Sequence, residues 1–396
     1  MKIFDFINHA SIKCEFGGLT VITDPWYISN AFGSWYQKPS PLYSDIFSLI
    51  DSDEKMGVVT SHGHDDHIDD WFIERHLKDK SFFCPKFATP GLENRLAKKL
   101  GVHTTVIDGV TQFGDFEIQQ FINPDFTEYD AVVSIKTSEF IIIHANDNYH
   151  SWPQKMKSEL NEVCKNYHSD DIYLLIQFGV ADCFPVNYLN TSSEKCYSII
   201  QNRFEGYLSA TEDNLSALGL NKMYYYANQS SFNYKVNNLD GHSMYELAQE
   251  FLKEKKSPHT QLLPGMSVHA KHKIHIKEKR SNNIFNYCLS AFENFINDSY
   301  QLHTSDVNAL KVRFKVTGDK EAADNINYIA DREVWNRIFT GELTLEAIII
   351  GGAGTISKPV DNMSEHFFFV MKRGYIAQNK IRISGLSFFR EHSHEA

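Results

Sequence analysis

The sequence lacks the long apolar run, the paired cysteines and the excess of positive charge that mark three common classes of protein. No apolar stretch approaches the ~18 residues that a membrane-spanning helix needs; the longest candidates are pieces such as FIII (140–143). None of the six cysteines forms a C-x-x-C or C-x-H pair, which excludes the usual zinc-ribbon and Rieske iron–sulfur patterns. The 39 Lys and Arg against 50 Asp and Glu leave a net charge of −11, which argues against a general nucleic-acid binder.

The N-terminus and the scattered cysteines predict where the protein is found. The first residues, MKIFDFINHASIKCEF (1–16), carry acid and amide groups where a signal peptide has its apolar region. Isolated cysteines suit the reducing cytosol. We therefore expect a cytoplasmic protein that binds neither membranes nor nucleic acid. The one basic segment, HAKHKIHIKEKR (269–280), either meets phosphate groups or forms a solvated face.

The 396 residues, 42% of them hydrophobic and 13% aromatic, supply ample core and are expected to form two or three domains. Strand patterns with short turns come first, and strands then alternate with longer helical patterns. A polar, turn-rich stretch, NYKVNNLD, ends this α/β region. These shifts predict an α/β domain over 1–235, a helical connecting region over 236–300 and a small α+β domain over 301–396.

A cluster of titratable residues, TSHGHDDH (60–67), follows directly after the short apolar strand pattern MGVV. Side chains two residues apart on an extended segment project to the same side, so His62 and His64 can bind one metal ion. Asp66 and His67, just past the turn, can face a second ion. Imidazole and carboxylate ligands suit zinc or iron. The alternative for this segment is a histidine-rich surface turn.

The motif resembles that of the metallo-β-lactamase superfamily, and two further segments agree with it. NHASIKCEFGGLTVITDPW (8–26) is similar to the family's opening hairpin, where His9 and Asp24 would support the ligand loop. FIIIHANDN (140–148) resembles the strand whose end carries the metal-bridging carboxylate, here Asp147, which could instead cap a turn. The resemblance implies an αββα sandwich, and the strand and helix patterns beyond residue 300 add the small C-terminal α+β domain.

A narrower resemblance is to the lactamase-like part of CMP-N-acetylneuraminate hydroxylase. It is carried by TDPWYISNAFGSWYQKPSP (23–41), INPDFTEYDAVVSI (122–135), QFGVADCFP (177–185) and WNRIFTGELTLEAIIIG (335–351). That enzyme also has a Rieske domain, and nothing in this sequence matches one. Oxygen chemistry would therefore need an external electron donor such as a ferredoxin.

Two histidines of the hydrolytic family members are missing from their expected places. The first place holds Asn123 and Asp125, and the second reads YYYANQS, with Asn228 as the nearest polar residue. Some oxygen-activating iron members of the superfamily replace a histidine by a carboxylate, which Asp125 would supply unless it is a turn residue after Pro124. His144 and His150, on either side of Asp147, are either substitute ligands or, for His144, a hydrogen-bonded core residue.

The residues predicted to meet the substrate lie on the loop after the hairpin. Trp26, Trp35 and Tyr36 are expected to line a pocket beside the metal together with Asn228. The alternative for the aromatic residues is a small core beneath this loop.

Three functions are compatible with these patterns. The first is an iron- and O2-dependent hydroxylase, with one or two iron ions, acting on a polar metabolite such as a nucleotide-linked amino sugar. The second is a zinc hydrolase of an ester, lactone or phosphodiester, in which Asp66 binds metal and orients a metal-bound hydroxide. The third is a scaffold that retains the fold with a degraded site.

Overall fold

The computed structural model describes residues 1–29, 31, 35–39, 41–50, 55–123, 130–179, 192–227, 230–232, 244–276, 312–316, 318, 326–330, 334–335 and 354–357. The chain divides into two compact units, Met1–Glu278 and Lys279–Ala396. No described helix is long and apolar enough to cross a membrane.

The first unit alternates strands and helices after an opening antiparallel meander. Its strands are β1 (Lys2–Asn8), β2 (Ser11–Phe16), β3 (Leu19–Thr23), β4 (Trp35–Gln37), β5 (Lys55–Val59), β6 (Ser81–Pro85), β7 (His103–Ile107), β8 (Val110–Phe113), β9 (Phe116–Ile122), β10 (Ala131–Lys136), β11 (Ile141–His144), β12 (Ile172–Gln177), β13 (Tyr224–Tyr226), β14 (Ser230–Phe232), β15 (Thr260–Gln261), β16 (Met266–His269) and β17 (Lys273–Ile276). Its helices are α1 (Tyr43–Ile50), α2 (Asp70–Phe72), α3 (Gly91–Asn94), α4 (Gln154–Cys164), α5 (Ser193–Ala217) and α6 (Met244–Glu254). Wider helical turns at Ile73–Leu77 and Arg95–Leu100 extend α2 and α3, and Ser169–Asp171 form a tighter turn.

The first unit is built on two large sheets. One has the order β17-β16-β1-β2-β3-β5-β6-β7, and the other has the order β15-β13-β12-β11-β10-β9-β8. Strands β3, β5, β6 and β7 are parallel neighbours, as are β11, β12 and β13, so their carboxyl ends collect at one edge of each sheet. The predicted turn at Gly17-Gly18 joins β2 to β3, with both glycines at positive φ (59° and 75°) that other residues rarely adopt.

The sheets pack face to face, and helices cover their outer faces. The inner core joins residues such as Phe4, Val59 and Phe83 of the first sheet to Val133 and Leu175 of the second. A second core joins the opposite face of β10–β13 to α4, α5 and α6.

Alternate residues of β5 and β6 point away from the inner core. Val58, Phe82 and Cys84 are nevertheless fully buried, as are Phe72 and Leu96 of the helices that follow these strands. Helices therefore cover this sheet as well. The predicted αββα sandwich is confirmed.

Part of the predicted helical connecting region is strand. Helix α6 was expected there, but β16 pairs with β1 and β17 pairs with β16, both antiparallel, so residues 266–276 extend the first sheet. The alternation of Ile274 and Ile276 with polar residues is typical of an edge strand, where one side faces water. The division into three domains with the boundaries given above stays a prediction.

The second unit contains a three-stranded sheet. Its strands are β18 (Val312–Val316), β19 (Ile326–Ala330) and β20 (Gly354–Ser357), with β19 in the centre, parallel to β18 and antiparallel to β20. The segment ALKVRFKV (309–316), which includes β18, alternates apolar and polar residues with the period of two that is typical of a strand. The apolar segment LEAIIIGG (345–352) lies outside the described residues.

Candidate metal centre

The candidate site lies where strands of both sheets end. His9 follows β1, Asp24 follows β3, Asn146 comes two residues after β11, and Ala227 follows β13. All four have positive φ angles, 48°, 34°, 39° and 54° respectively. This conformation costs about 1–3 kcal/mol for a residue other than glycine and concentrates at functional sites. The backbone at this edge is therefore strained in four places at once.

Asp147 lies between two groups of imidazoles. Its Oδ2 is 3.6 Å from His62 Nε2, and its Oδ1 is 3.3 Å from His67 Nε2. His64 Nδ1 lies 2.8 Å from His62 Nε2, so both rings of this pair converge on the same side of the carboxylate. A carboxylate with one oxygen toward each group has the geometry of a bridge between two ions.

A second group of possible ligands surrounds Asp66. Its Oδ2 lies 3.3 Å from His9 Nε2 and 3.9 Å from His67 Nε2. The ligand atoms of His9, Asp66 and His67 lie within 4.8 Å of one another, as do those of His62, His67 and Asp147. Because one imidazole nitrogen binds one ion, His67 belongs to one group, and His64 is the imidazole available to the other.

The residues present fit metal ions. Buried atoms without a hydrogen-bond partner among the described residues include His67 Nε2, Asp66 Oδ1, Asp147 Oδ1 and Asp130 Oδ1. Leaving a buried polar atom unpaired costs about 1–3 kcal/mol, and more where it is charged. Imidazole nitrogens and carboxylate oxygens are the ligands of zinc and iron. Cations held by the two groups would satisfy the atoms of His67, Asp66 and Asp147.

Asp24 holds two of the histidines in place. Its Oδ2 accepts hydrogen bonds from His67 Nδ1 (2.9 Å), His144 Nε2 (2.8 Å) and the Ser61 hydroxyl (2.6 Å). Its Oδ1 accepts the Ser61 backbone N–H at 2.7 Å. Since His67 Nδ1 donates its hydrogen to Asp24, Nε2 is the nitrogen that faces Asp147 and becomes available to an ion once its proton has left. The Ser61 hydroxyl also lies 3.0 Å from His62 Nδ1 and thereby orients the second ring.

His144 is a supporting residue with both ring nitrogens engaged. Its Nε2 donates to Asp24, and its Nδ1 accepts from the Tyr226 hydroxyl at 2.5 Å. The Asn146 N–H donates to that hydroxyl at 3.0 Å. Of the two roles open for His144, the structure favours the hydrogen-bonded core residue.

The electrostatics of the site are set by carboxylates. Burial alone would lower the pKa of His67, but Asp147, Asp66 and Asp24 raise it well above its ordinary value. Burial and the neighbouring His67 lower the pKa of His62 to about 3. Burial raises the pKa of Asp130 well above its usual range, and the charge of Asp147 adds to this. Without an ion, a proton on His67 balances the carboxylates.

Metal binding is expected to release this proton and to tighten as the pH rises. The raised pKa keeps His67 protonated at neutral pH, and an ion takes Nε2 only after the proton leaves. Affinity should increase about tenfold per pH unit below the raised pKa and level off above it. His62, with a pKa of about 3, adds no slope in this range. Chelator competition between about pH 6 and 9 measures the slope, and a flat profile would contradict the expectation.

Arg95 fixes the ligand loop from outside. Its guanidinium donates to the Gly63 carbonyl (2.6 Å), to Asp65 Oδ1 (3.0 Å) and to Asp70 Oδ1 (2.9 Å). The loop that carries the histidines is therefore tied to the helix that follows β6. Sequence reasoning missed this residue, because a lone arginine on a helix gives no signal of a contact about thirty residues away.

Replacing Arg95 by alanine is expected to weaken metal binding by about 10–100-fold, since the ligands lose a fixed orientation. The matched control is Arg75→Ala, whose guanidinium lies 4.4 Å over the Trp71 ring and does not touch residues 62–67. Metal dissociation constants of both variants, measured by chelator competition, test the difference. Equal metal affinities of the two variants would show that Arg95 does not help to orient the ligands.

The structure brings most of the predicted site together. His62, Asp66, His67 and Asp147 converge as described, and His64 stands at the exposed rim. Asp125, Asn228 and the Tyr36 side chain lie outside the described residues, and their roles stay predictions.

The two tryptophans predicted to line a pocket are enclosed. Trp26 has 0% and Trp35 has 5% of its surface exposed, and both pack with Ala31. Trp26 donates through its ring N–H to the Ser29 carbonyl at 2.6 Å. Both rings belong to a small core beneath the loop, and their contact with a substrate stays a prediction.

Asp69 is a second residue that sequence reasoning missed. Its Oδ2 accepts the N–H groups of Ile28 (2.7 Å) and Ser29 (2.9 Å), and its Oδ1 accepts that of Phe72 (3.1 Å). It therefore caps α2 and holds the loop after β3 against the ligand segment. The capping role had a local signal, an aspartate before a short helical pattern, but the loop contact had none.

The four layers, with two candidate groups of metal ligands at the strand ends, define a protein of the metallo-β-lactamase fold. No protein-family model and no curated protein matches the sequence.

Solved structures of this fold resemble the chain at low identity. One is CmlA, a diiron β-hydroxylase from Streptomyces venezuelae, with 16% identity and a TM-score of 0.43, matched over 66% of this chain and 53% of that one. An isothiocyanate hydrolase from Delia radicum gut bacteria has 15% identity and a TM-score of 0.44 over 68% and 99% of the two chains. A possible metal-dependent hydrolase from Veillonella parvula has 15% identity and a TM-score of 0.42, matched over 70% of this chain and 99% of that one.

These likenesses concern the fold alone. This chain spans about half the length of CmlA. The narrower resemblance to CMP-N-acetylneuraminate hydroxylase is not shown by them and stays a prediction.

Proposed function

We propose that this protein is a metal-dependent enzyme that holds iron and uses O2 to hydroxylate a small polar metabolite. The observation that carries the proposal is the donor set. With His67 counted in one group alone, each of the two groups that can hold an ion offers two imidazoles and one carboxylate: His62, His64 and Asp147 in one, and His9, His67 and Asp66 in the other. Two histidines and one carboxylate with open positions are typical of non-haem iron oxygenases.

The chain's own residues would bind and orient the ions. Asp147 would bridge them, Asp66 would bind the inner ion, and Asp24 would fix the tautomer of His67. Bound iron would supply the activation of O2 at its open positions. Burial of Asp66 and His67, at 2% and 0% exposure, keeps bulk water from the inner group.

The overall reaction needs two electrons from outside the chain. It converts R–H, O2, two electrons and two protons into R–OH and water. The sequence has no cysteine spacing for an iron–sulfur cluster of its own, so we propose a ferredoxin or a reductase as the donor. A nucleotide-linked amino sugar is the substrate that the narrower resemblance suggests.

A zinc hydrolase of an ester, lactone or phosphodiester is the second candidate. Asp66 Oδ1 is buried and has no hydrogen-bond partner among the described residues. It is free to orient a water molecule whose pKa a bound zinc lowers toward ~7. The scaffold hypothesis is less favourable, because a degraded site gains nothing from strained backbone and unpaired carboxylates.

Metal analysis of protein produced without added metal separates the candidates. Iron with a Mössbauer signal, together with substrate-dependent O2 consumption when ferredoxin and its reductase are present, is expected. Zinc with esterase or phosphodiesterase turnover in the absence of O2 would favour the hydrolase. If no metal binds, and His62→Ala changes no measured property, the proposal of an enzyme is overturned.

A further inference from the structure

His9 is held rigidly beside the inner ligand group. It is 1% exposed and lies on the turn after β1 with a φ of 48°. Its carbonyl accepts the Ala227 N–H at 2.9 Å, and its ring packs edge-to-face on Trp26 with the centroids 5.0 Å apart. The strained backbone and the buried tryptophan together determine where this imidazole lies.

Neither ring nitrogen of His9 has a hydrogen-bond partner among the described residues. Nε2 is 3.3 Å from Asp66 Oδ2, and the His9 and His67 rings are 5.4 Å apart. An imidazole that only supports a ligand donates a well-formed hydrogen bond to it, as His144 does to Asp24 at 2.8 Å. The longer 3.3 Å contact between His9 Nε2 and Asp66 Oδ2 matches the separation of two ligands of one ion.

The described residues at the end of β13 supply no ligand to the inner group. The strand ends at Tyr226, whose hydroxyl is engaged by His144, and Ala227 follows with only a methyl group. Neither residue offers a ligand atom to the inner group. The His9 carbonyl pairs with this same Ala227, so the two chain segments adjoin.

We propose that His9 binds the inner metal ion directly through Nε2, together with Asp66 and His67. This assignment rests on the proposed metal centre, and it differs from the supporting role that the sequence resemblance implies for His9. The inner ion thereby gains a ligand from the first hairpin, about fifty-five residues before the histidine motif. The first hairpin and the histidine loop are then joined through the ion.

The test compares His9→Gln and His9→Ala with the exposed control His103→Ala. Glutamine can donate a hydrogen bond to Asp66, but its amide is a weak ligand for transition metals. Metal content is measured after dialysis against a weak chelator. The cobalt-loaded proteins are then examined by NMR for shifted imidazole N–H signals, one for each histidine ligand. Neither readout depends on turnover.

Both His9 variants are expected to lose about one metal equivalent per chain and, with that ion, the shifted imidazole signals of His9 and His67, whereas His103→Ala keeps the metal and the signals. If His9→Gln retains wild-type metal content and all imidazole signals, His9 is a supporting residue and the inference is wrong. If wild-type protein itself binds no metal, the proposed metal centre fails instead, and the two failures are thus distinguished.

Discussion

Replacing Asp147 by asparagine is expected to empty both ion positions and to lower activity by more than ~100-fold, beyond the loss typical for residues that only support a ligand. The carboxylate presents one oxygen to His62 and the other to His67. Asparagine keeps the shape of the side chain, but it has no charge, and its single oxygen cannot serve both groups. Metal content and activity, measured on the same preparation, check this result.

The matched control for this prediction is Asp108→Asn, at the end of β7. This carboxylate is 74% exposed and pairs with the surface Lys86 at 2.7 Å. Like Asp147, Asp108 is an aspartate that follows a strand, but it is exposed, whereas Asp147 is largely buried. Circular dichroism of both variants separates loss of metal from loss of fold. If Asp147→Asn retains two equivalents of metal, Asp147 does not bridge the ions.

The convergence of the main ligands was predictable because each follows directly on a strong strand pattern. MGVV before the histidine motif and FIII before the Asp147 segment are short apolar runs of a buried strand, β5 and β11 in the structure. Parallel pairing puts the carboxyl ends of β5 and β11 at one edge of their respective sheets. That these two edges meet was implied by the resemblance to the metallo-β-lactamase superfamily and not by the strand patterns alone.

The supporting contacts were not predictable, because they depend on how distant segments pack. Arg95 reaches Asp65 thirty residues away, and Asp69 reaches Ile28 forty-one residues away. No periodicity or spacing encodes such pairs. The same limit applies to Trp26: a loop of aromatic residues gives the same pattern whether the rings line a pocket or fill a small core.

The histidine-rich segment after α6 shows a different limit. His269 and His275 stand on β16 and β17 with ring centroids 4.0 Å apart. A polar edge strand exposes one side, so its composition matches that of a solvated loop. The pairing of β16 with β1 shows that this segment is a strand at the edge of the sheet and not a solvated loop.

The second large effect is expected for Asp24→Asn, which should destabilise the metal-free protein by roughly 3–5 kcal/mol, the usual result of breaking a buried ion pair. The carboxylate accepts four hydrogen bonds, three on Oδ2 and one on Oδ1. Both oxygens of Asp24 accept hydrogen bonds, so the NH2 group of an asparagine would replace an acceptor in either orientation of the amide. Two donors would then face each other, and no hydrogen bond could form there. His67 then loses the charge that balances it and the acceptor that fixes its tautomer.

The stability difference between wild type and Asp24→Asn is expected to depend on pH in one direction. Burial alone would raise the pKa of Asp24, but His67 and His144 hold it well below its usual range. A depressed folded-state pKa contributes stability that is fully present above the unfolded value of ~3.9 and is lost as the pH falls toward the folded value. The gap in unfolding free energy between wild type and Asp24→Asn should therefore be constant near neutrality and begin to shrink below about pH 4.

Ser61→Ala is the matched variant for the Asp24 network. It removes the hydroxyl that donates to Asp24 Oδ2 at 2.6 Å but keeps the charge and both histidine contacts. We expect it to cost about 1–3 kcal/mol, less than Asp24→Asn. Denaturant unfolding in the presence of a chelator, at pH 7 and again near pH 4, measures both variants. Equal losses for the two variants, or a gap that widens in acid, would mean that the charge of Asp24 does not hold this site together.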